Sequence, residues 1–178
     1  MQKDNGTTVR NWGIAAPTSG PASALVVGGG SLSAGTSYKF TYTYIRKDGT
    51  TIAHESNPAP TNTYGGAIAA NDRINLSLIA DSPDSQVTHT RIYRSVVNGT
   101  VLLFDQEIAQ GVTTATSSQA DTALGVAIST DNDVPNNCSW AVEYQGHIFL
   151  CRDASNKHYL WYSKHFKPEA IPAANFLE

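Results

Sequence analysis

Hydrophobic and polar residues alternate along most of this chain with a period of two, which is the spacing of a β-strand. The alternation is clearest between residues 38 and 44. Four aromatic side chains fall on one face of that segment: Tyr38, Phe40, Tyr42 and Tyr44. Three polar side chains fall on the other face: Lys39, Thr41 and Thr43. The pattern predicts an antiparallel strand with one face in the core and one face in water.

Turn residues divide the pattern into two clear hairpins. Lys47-Asp48-Gly49 predicts a tight turn, because Asp-Gly supplies the positive φ that such a turn needs, and Thr50 to Glu55 forms the return strand. Thr88 to Val97 and Thr100 to Ile108 form the second hairpin. Asn98-Gly99 joins its strands, and we expect a type I′ turn with positive φ at both residues.

Three further strands are predicted around those hairpins: Ala22 to Val27, Arg73 to Ile79, and Val112 to Thr116. In the second of them Ile74, Leu76 and Leu78 alternate with polar residues and are expected to face inward. No window carries apolar residues at the spacing of an amphipathic helix.

The pattern changes near the C-terminal end. Ser129 to Asn137 is polar and predicts a linker. Three short strands are then predicted: Trp140 to Tyr144, His147 to Cys151, and His158 to Ser163. Because three strands bury little surface, we expect this meander to be the start of a larger domain that the chain does not complete. Its aromatic side chains, above all Trp140, Tyr144 and Trp161, are expected to pack onto the β-domain formed by the preceding strands or onto a partner chain.

Composition narrows the classes of function. The chain has 178 residues and a formal net charge of −3, so it has no basic footprint for nucleic acid. Its apolar runs are far shorter than the about 20 residues that a membrane helix needs, so we expect no membrane insertion. Ser and Thr outnumber the charged residues, which is common in β-rich extracellular and virion proteins.

Three segments resemble the fibronectin type III or immunoglobulin-like domains of phage virion proteins. The first is GTSYKFTYTYIRKDGTTIAHESNPAP, with an aromatic strand before an E-S-x-P step. The second is THTRIYRSVVNGTVLLFDQEIAQGVTTATSSQADTALG, with an R-I-Y-R hairpin and a trailing D-x-x-L-G. The third, from Asp131 to Pro172, is similar to the passage from that sandwich into a β-propeller-like region, and Trp161-Tyr162-Ser163 and Pro168-Glu169 match its motifs.

Pattern and resemblance together predict an all-β fold: an immunoglobulin-like or fibronectin type III-like antiparallel β-sandwich with a short C-terminal β-meander. The expected domains are an N-terminal extension (1–21), the sandwich (22–125), a linker (126–139) and the fragment of a larger domain (140–178). The resemblance implies a non-enzymatic structural protein of a phage or prophage virion, in the neck, tail or tail fibre. Its expected partners are other virion proteins or further copies of itself. Its expected location is the virion, and the bacterial cytoplasm during assembly.

The alternative function is a carbohydrate-binding or adhesive module of a cell-surface protein. Aromatic rings stack on sugars, and Trp12, Trp140 and Trp161 are candidates for such stacking. A sugar binder displays two or three coplanar aromatic rings on one open face, whereas a core strand buries them. Exposure therefore separates the two functions.

Residue types that often carry chemistry occur at several places. Asp131-Asn132-Asp133, with Asn136 and Asn137 behind, offers oxygen ligands for calcium but lacks EF-hand spacing, so a polar linker is preferred. His54, Glu55 and Ser56 are consecutive, so a strand points them to alternating faces.

Other candidates also have simpler explanations. Asp105 and Glu107 lie two positions apart on one strand face, where a solvated face is preferred to a glycosidase pair. Arg91 and Arg94 flank Tyr93 and predict cross-strand packing. The remaining histidines and cysteines match no zinc spacing, and we expect free thiols: His147, His158, His165, Cys138 and Cys151. We therefore assign no catalytic, cofactor-binding or metal-ligating residue and expect no cofactor.

Overall fold

The computed structural model of the chain describes residues 2–4, 8–135 and 137–178, with only the backbone of Asp4. Its strands, in chain order, are β1 (Gln2–Asp4), β2 (Val9–Asn11), β3 (Ala22–Val26), β4 (Gly35–Asp48), β5 (Thr51–Glu55), β6 (Asn62–Ile68), β7 (Arg73–Ser77), β8 (His89–Arg94), β9 (Leu103–Ala109), β10 (Ala115–Ser117), β11 (Trp140–Tyr144), β12 (His147–Cys151), β13 (Leu160–Tyr162) and β14 (Phe176–Leu177). One turn of 3-10 helix spans Asp121–Ala123. The all-β prediction is confirmed.

Two antiparallel sheets enclose the main core. The smaller has the order β10-β7-β3. The larger has the order β5-β4-β8-β9, and β6 pairs with the first half of β4 on the same side as β5. Side chains from both sheets form one buried cluster, which includes Tyr42 of β4, Ile92 of β8 and Leu76 of β7. β1 and β2 form a separate two-stranded antiparallel sheet.

Strand β4 is buried on both faces. Its four aromatic residues are in the core as predicted, at 4% exposure or less: Tyr38, Phe40, Tyr42 and Tyr44. The expectation of a wet opposite face is wrong, because Thr41 and Thr43 are fully buried. Thr41 Oγ1 donates to the carbonyl of Ala59 (2.7 Å), and Thr43 Oγ1 donates to Glu55 (2.7 Å). The hydroxyl groups are therefore paired inside the protein and not with solvent.

The first hairpin turn is tight, as predicted. Asp48 pairs with Thr51, so only Gly49 and Thr50 form the loop, and Gly49 has a φ of 63°. A positive φ at the first loop residue is typical of a type II′ turn and favours glycine.

Gly49→Val should therefore lower the free energy of unfolding by about 1–2 kcal/mol, because a β-branched residue resists the left-handed conformation. No atom lies within 4 Å of a Cβ placed at Gly49, so the effect comes from the backbone alone. Gly65→Val is the matched control, since Gly65 is equally open and has no positive φ. Denaturant unfolding measures both, and equal losses would contradict this explanation.

The second hairpin differs from its prediction. β8 and β9 are antiparallel neighbours, but residues 95–102 connect them, and φ is positive at Asn98 (55°) and not at Gly99. The type I′ prediction is wrong. Asn98 has another role: its Oδ1 accepts the backbone N–H groups of Thr36 and Ser37, both at 3.1 Å, and holds the start of β4.

Two other expectations fail for local reasons. β7 ends at Ser77, and Leu78 has a φ of 55° and is 73% exposed, while Ile79 is buried. The backbone turns at Leu78, which moves the inward position by one residue. In β9 a bulge opposite Ile92 and Tyr93 separates Asp105 from Glu107. Asp105 faces Arg94, and Glu107 bonds Lys47 (2.6 Å), so the expected common face does not exist.

A buried arginine closes one end of the core. Arg94 is fully buried and lies over the ring of Tyr38, 4.9 Å from its centroid. Its Nη1 donates to Asp121 at 2.5 Å, and its Nη2 donates to the carbonyl of Gln119 at 2.9 Å. Asp121 also accepts from the Tyr38 hydroxyl and from the N–H of Val97. Burial opposes ionisation of Asp121, but these hydrogen bonds outweigh it and lower its pKa.

The outer edge of the larger sheet is covered by the chain itself. Ala127 bridges Leu103 in antiparallel fashion. Gly125 donates to the carbonyl of Phe104, and Phe104 donates back to the carbonyl of Val126, at 2.8 and 2.9 Å. The edge of β9 is thereby paired where the segment after the sandwich begins.

The C-terminal residues form a further, four-stranded sheet in the order β11-β12-β13-β14. Gln145 and Gly146, both with positive φ, turn β11 into β12 as predicted. β14 adds a strand that the sequence did not indicate. One face of this sheet covers a small core of Leu150, Trp161 and Ile171.

Glu169 attaches this sheet to the sandwich. Its carboxylate bonds Arg46 Nη2 at 2.8 Å, Lys3 Nζ, and the N–H of Gly13 at 3.2 Å. The neighbouring Pro168 carbonyl accepts from Trp12 Nε1 at 2.8 Å. Burial opposes ionisation of Glu169, but the hydrogen bonds from Arg46 and Lys3 outweigh it and lower its pKa.

Candidate functional site

The outward face of the C-terminal sheet carries aromatic and apolar side chains that are exposed on β11 and partly exposed on β12 and β13. The strand pairing places these residues on that face: Trp140, Val142, Tyr144, His147, Phe149, Cys151 and Tyr162. The opposite face holds Leu150 and Trp161, which are buried in the small core. Trp140 is 58% exposed and Tyr144 is 61% exposed. The two therefore do not pack onto the sandwich, whereas Trp161 is buried within its own sheet.

Ring contacts give this aromatic face a fixed shape. Phe149 and Tyr162 lie 6.2 Å apart between ring centroids, and His147 lies 6.3 Å from Tyr162. His147 Nδ1 lies 2.7 Å from the carbonyl oxygen of Ser163, which orients the imidazole. His165 extends the row at 5.2 Å from His147. Exposed apolar patches of this kind are typical of interaction surfaces.

The acidic linker residues hold a lysine, not an open cation site. Lys164 Nζ donates to Asp131 Oδ1 and to Asn132 Oδ1, the latter at 2.9 Å. The hydrogen bond from Lys164 lowers the pKa of Asp131. Asp133 accepts from Asn57 Nδ2 at 2.6 Å and from the N–H of Ala173 at 3.1 Å. This cluster ties the linker to the sandwich and to the C-terminal sheet; Asn136 lies outside the described residues.

Glu55 is the centre of a polar network on the outer face of the larger sheet. It accepts hydrogen bonds from Thr43 (2.7 Å) and from the hydroxyl of Tyr93 (2.5 Å). Arg91 Nη1 donates to its other oxygen at 3.3 Å. The Arg91 guanidinium also stacks over Phe104, 4.1 Å from the ring centroid, so the predicted cross-strand packing of this arginine is confirmed. Ser56 faces elsewhere and accepts the N–H of Tyr44.

His54 is buried on the other face of β5 from Glu55, where it pairs with Arg46 of β4 and lies near Glu169. Its Nε2 has no hydrogen-bond partner among the described residues, and the residue as a whole is 6% exposed. Burial lowers its pKa from 6.5 to about 4. The imidazole is therefore neutral at pH 7.

The unfolding free energy should consequently fall as the pH falls from 6.5 to 4. Over that range the unfolded chain binds a proton at His54 and the folded chain does not, so acid favours unfolding, by about 3 kcal/mol at most. Below pH 4 both states are protonated and this contribution stays constant. His54→Gln should show a shallower decline in denaturant titrations across this range. Parallel curves for the two proteins would contradict the assignment.

The other candidates do not assemble into a metal site. No group of three potential metal-ligating side chains occurs within residues 2–4, 8–135 and 137–178. His147 and His165 are neighbours, but His158 is an exposed residue of the preceding loop. Cys138 and Cys151 are free thiols, and burial, with Asp153 and Cys151 nearby, raises the pKa of Cys138.

No protein-family model and no curated protein matches this chain. Among the described residues no helix has the length and apolar character needed to cross a membrane.

Proposed function

We propose that this chain is a non-enzymatic structural component of a phage or prophage virion, in the neck, tail or tail fibre. It acts through protein–protein contacts with other virion proteins or with further copies of itself. It resides in the virion, and in the bacterial cytoplasm during assembly. The observation that carries the proposal is the open aromatic face of the β11–β14 sheet.

That face has the composition of the centre of a protein interface. Tyr, Trp and Phe are enriched there relative to the rest of protein surfaces, and Lys, Glu and Asp are depleted. Trp140 and Tyr144 lie on β11, the edge strand of its sheet. An edge strand also offers backbone hydrogen bonds to an incoming strand.

The connections of the sandwich support an immunoglobulin-like arrangement. β8 lies between β4 and β9, and β7, which precedes β8, belongs to the opposite sheet. Strands C, F, G and E of an immunoglobulin domain have the same relation.

The residues behind the family resemblance also have defined structural roles here. Ser163 exchanges hydrogen bonds with the backbone of Ile148 at 2.9 Å, which holds β13 beside β12. Pro168 and Glu169 form the attachment between the sheet and the sandwich. These roles support an origin in a protein where a sandwich leads directly into a further β-domain.

Mass spectrometry of purified particles tests the virion assignment. After prophage induction in the source bacterium, peptides of this chain should co-sediment with intact particles. They should be depleted from the same fraction of uninduced cultures. Neighbouring genes for capsid, portal or tail proteins would agree. Peptides found only in the soluble, particle-free fraction would overturn the proposal.

Substitutions then test the contact face. Trp140→Ser combined with Tyr144→Ser should reduce incorporation of the chain into particles at least tenfold, while the isolated protein keeps its unfolding midpoint. Val27→Ser is the matched control, because Val27 is 84% exposed on the sandwich and away from the face. Equal incorporation of both variants would exclude this face as the contact.

A carbohydrate-binding module is the second candidate, and one observation favours it. Trp140 and Tyr144 lie on one face of β11, four residues apart, where two rings are available to a sugar chain. The four aromatic residues of β4 are buried and offer no such surface. Pull-down on insoluble cellulose, chitin and peptidoglycan separates the candidates: retention that the double variant abolishes would favour sugar binding over assembly.

A further inference from the structure

Strand β11 is open along its outer edge and on both of its faces. It is the first strand of the C-terminal sheet, and no described strand pairs with it on the side away from β12. All five of its residues are exposed, which includes Ala141 and Glu143 on the face opposite the aromatic one. The small core of this sheet lies under the next two strands, with Leu150 and Trp161. An edge strand with this exposure is a template to which another strand can add.

The backbone groups of two β11 residues point to the open edge. Ile148, which pairs with Glu143, uses both its N–H and its C=O for hydrogen bonds with Ser163, each of 2.9 Å, on the side away from β11. Glu143 and Ile148 are therefore a non-hydrogen-bonded pair. Because such pairs alternate with hydrogen-bonded ones, Ala141 is in the same position. The N–H and C=O groups of Ala141 and Glu143 point outward, and no described residue bonds them.

This edge also lacks the usual protection against strand addition. Natural edge strands are often blocked by a lysine, a proline, a bulge or a covering segment. β11 has the sequence Trp-Ala-Val-Glu-Tyr, and its pairing with β12 is continuous. Glu143 is its single charged residue. The chain covers the start of β9 with residues 125–127, whereas no described segment covers β11 in that way.

The side chains of β11 fit a second copy of the same strand. In an antiparallel pair centred on Val142, Ala141 of each copy lies opposite Glu143 of the other, so their outward N–H and C=O groups form hydrogen bonds. Trp140 then lies opposite Tyr144 of the other copy on the aromatic face, which gives a cross-strand aromatic pair at each end. The two Glu143 carboxylates are not directly opposed, as they would be in a pair centred on Glu143.

We propose that two copies of this protein join through β11 in this register and form a two-fold symmetric dimer with one continuous sheet across both copies. Such a contact uses the same surface of each copy, so it closes after two copies and does not extend into a fibre. The inference rests on the proposed contact role of the aromatic face and names a second copy as the partner there.

Disulfide trapping tests the register, in a background that carries Cys138→Ser and Cys151→Ser. Val142→Cys should form an intermolecular disulfide on mild oxidation. Val142 lies opposite its own counterpart at a non-hydrogen-bonded position, where the Cα atoms are about 4.5 Å apart, within the range for a disulfide. Tyr144→Cys is the matched control, because its counterpart lies about 13 Å away along the strands, and it should crosslink at least tenfold more slowly.

Analytical ultracentrifugation of the purified chain over a range of concentrations measures the dimer itself. Ala141→Pro removes one outward N–H group and no hydrogen bond to β12, which an edge strand tolerates, so the monomer should keep its fold while the dimer affinity falls at least tenfold. Ala141→Val, at the same exposed position, retains the N–H group and should leave the affinity within about threefold. The far-UV spectrum of each variant verifies its fold.

Three results would overturn the proposal: a monomer at every concentration, equal crosslinking rates for the two cysteine variants, or equal affinities for Ala141→Pro and Ala141→Val. All three are measured on the purified chain. The dimer can therefore fail while peptides of the chain still co-sediment with particles, and it can form in a protein that particles lack, so the two failures are distinguishable.

Discussion

Arg94→Met should lower the free energy of unfolding by about 3–5 kcal/mol, the cost of removing one partner of a buried ion pair. The substitution keeps most of the side-chain volume, so the loss comes from the charge and its hydrogen bonds. Asp121 would lose its shortest contact, at 2.5 Å, and Asp105, whose Oδ2 lies 4.0 Å from Arg94 Nε, would lose its counter-ion. Two carboxylates would then be largely buried without a cation.

Denaturant unfolding gives the size of this loss, and its pH dependence gives the cause. The pKa of Asp121 is lower in the folded protein than the ordinary carboxyl value of 3.8, so its ion pair stabilises the fold fully above that pH. The stabilisation is lost as the pH falls through the lower pKa of the folded state. The difference between wild type and Arg94→Met should therefore shrink on acidification below about pH 4. Arg73→Met, at a partly exposed arginine, is the control and should cost less than about 1 kcal/mol. A loss for Arg94→Met that is independent of pH would contradict the ion-pair explanation.

Phe40→Ala should also cost about 3–5 kcal/mol, because it leaves a cavity among residues from both sheets. Phe40 is fully buried and its ring lies 6.4 Å from that of Tyr38, so neighbouring side chains have little freedom to fill the space. Phe166→Ala removes the same side chain from a position that is 77% exposed and should cost about 0.5 kcal/mol or less. Calorimetric melting of the three proteins measures both changes. Similar melting temperatures for the two variants would show that Phe40 is not a core residue.

The sequence predicts the core face of β4 but not the burial of its other face. Alternation identifies Phe40 and Tyr42 as inward because the signal is local. Thr41 and Thr43 are covered by residues such as Ala59 and Glu55, which reach them only in the folded chain. Threonines at alternate positions occur both on strand faces exposed to water and on faces covered by a loop. The sequence therefore does not distinguish the two cases.

Of the two predicted hairpin turns, one follows from its own residues and the other is involved in a contact with a distant strand. Gly49 gives the predicted tight turn through its own positive φ, a property of the local residues, and no described atom lies within 4 Å of a Cβ placed there. The Asn98-Gly99 loop departs from type I′ geometry at Gly99, and the Asn98 side chain instead holds Thr36 and Ser37 at the start of another strand. The bulge that separates Asp105 from Glu107 leaves Asp105 Oδ2 4.0 Å from Arg94 Nε on the neighbouring strand, a contact that the local pattern does not indicate.

The candidate sites depend on still longer separations along the chain. The aromatic density after Trp140 was visible in the sequence, and it was expected to be covered. Which side of the sheet is open follows from the pairing of β11 through β14, and β14 had no pattern of its own.

The pairing of residues 125–128 with β9 restricts how copies of this protein can join. A free sheet edge is a template on which a strand from a second molecule can add, and repeated addition produces an open-ended fibre. Here the chain occupies that position itself: a foreign strand would first have to displace the hydrogen bonds that Phe104 makes with Gly125 and Val126. Addition of a foreign strand at the start of β9 therefore carries a barrier that no described backbone pairing imposes on the outer edge of β11, the strand that displays Trp140 and Tyr144.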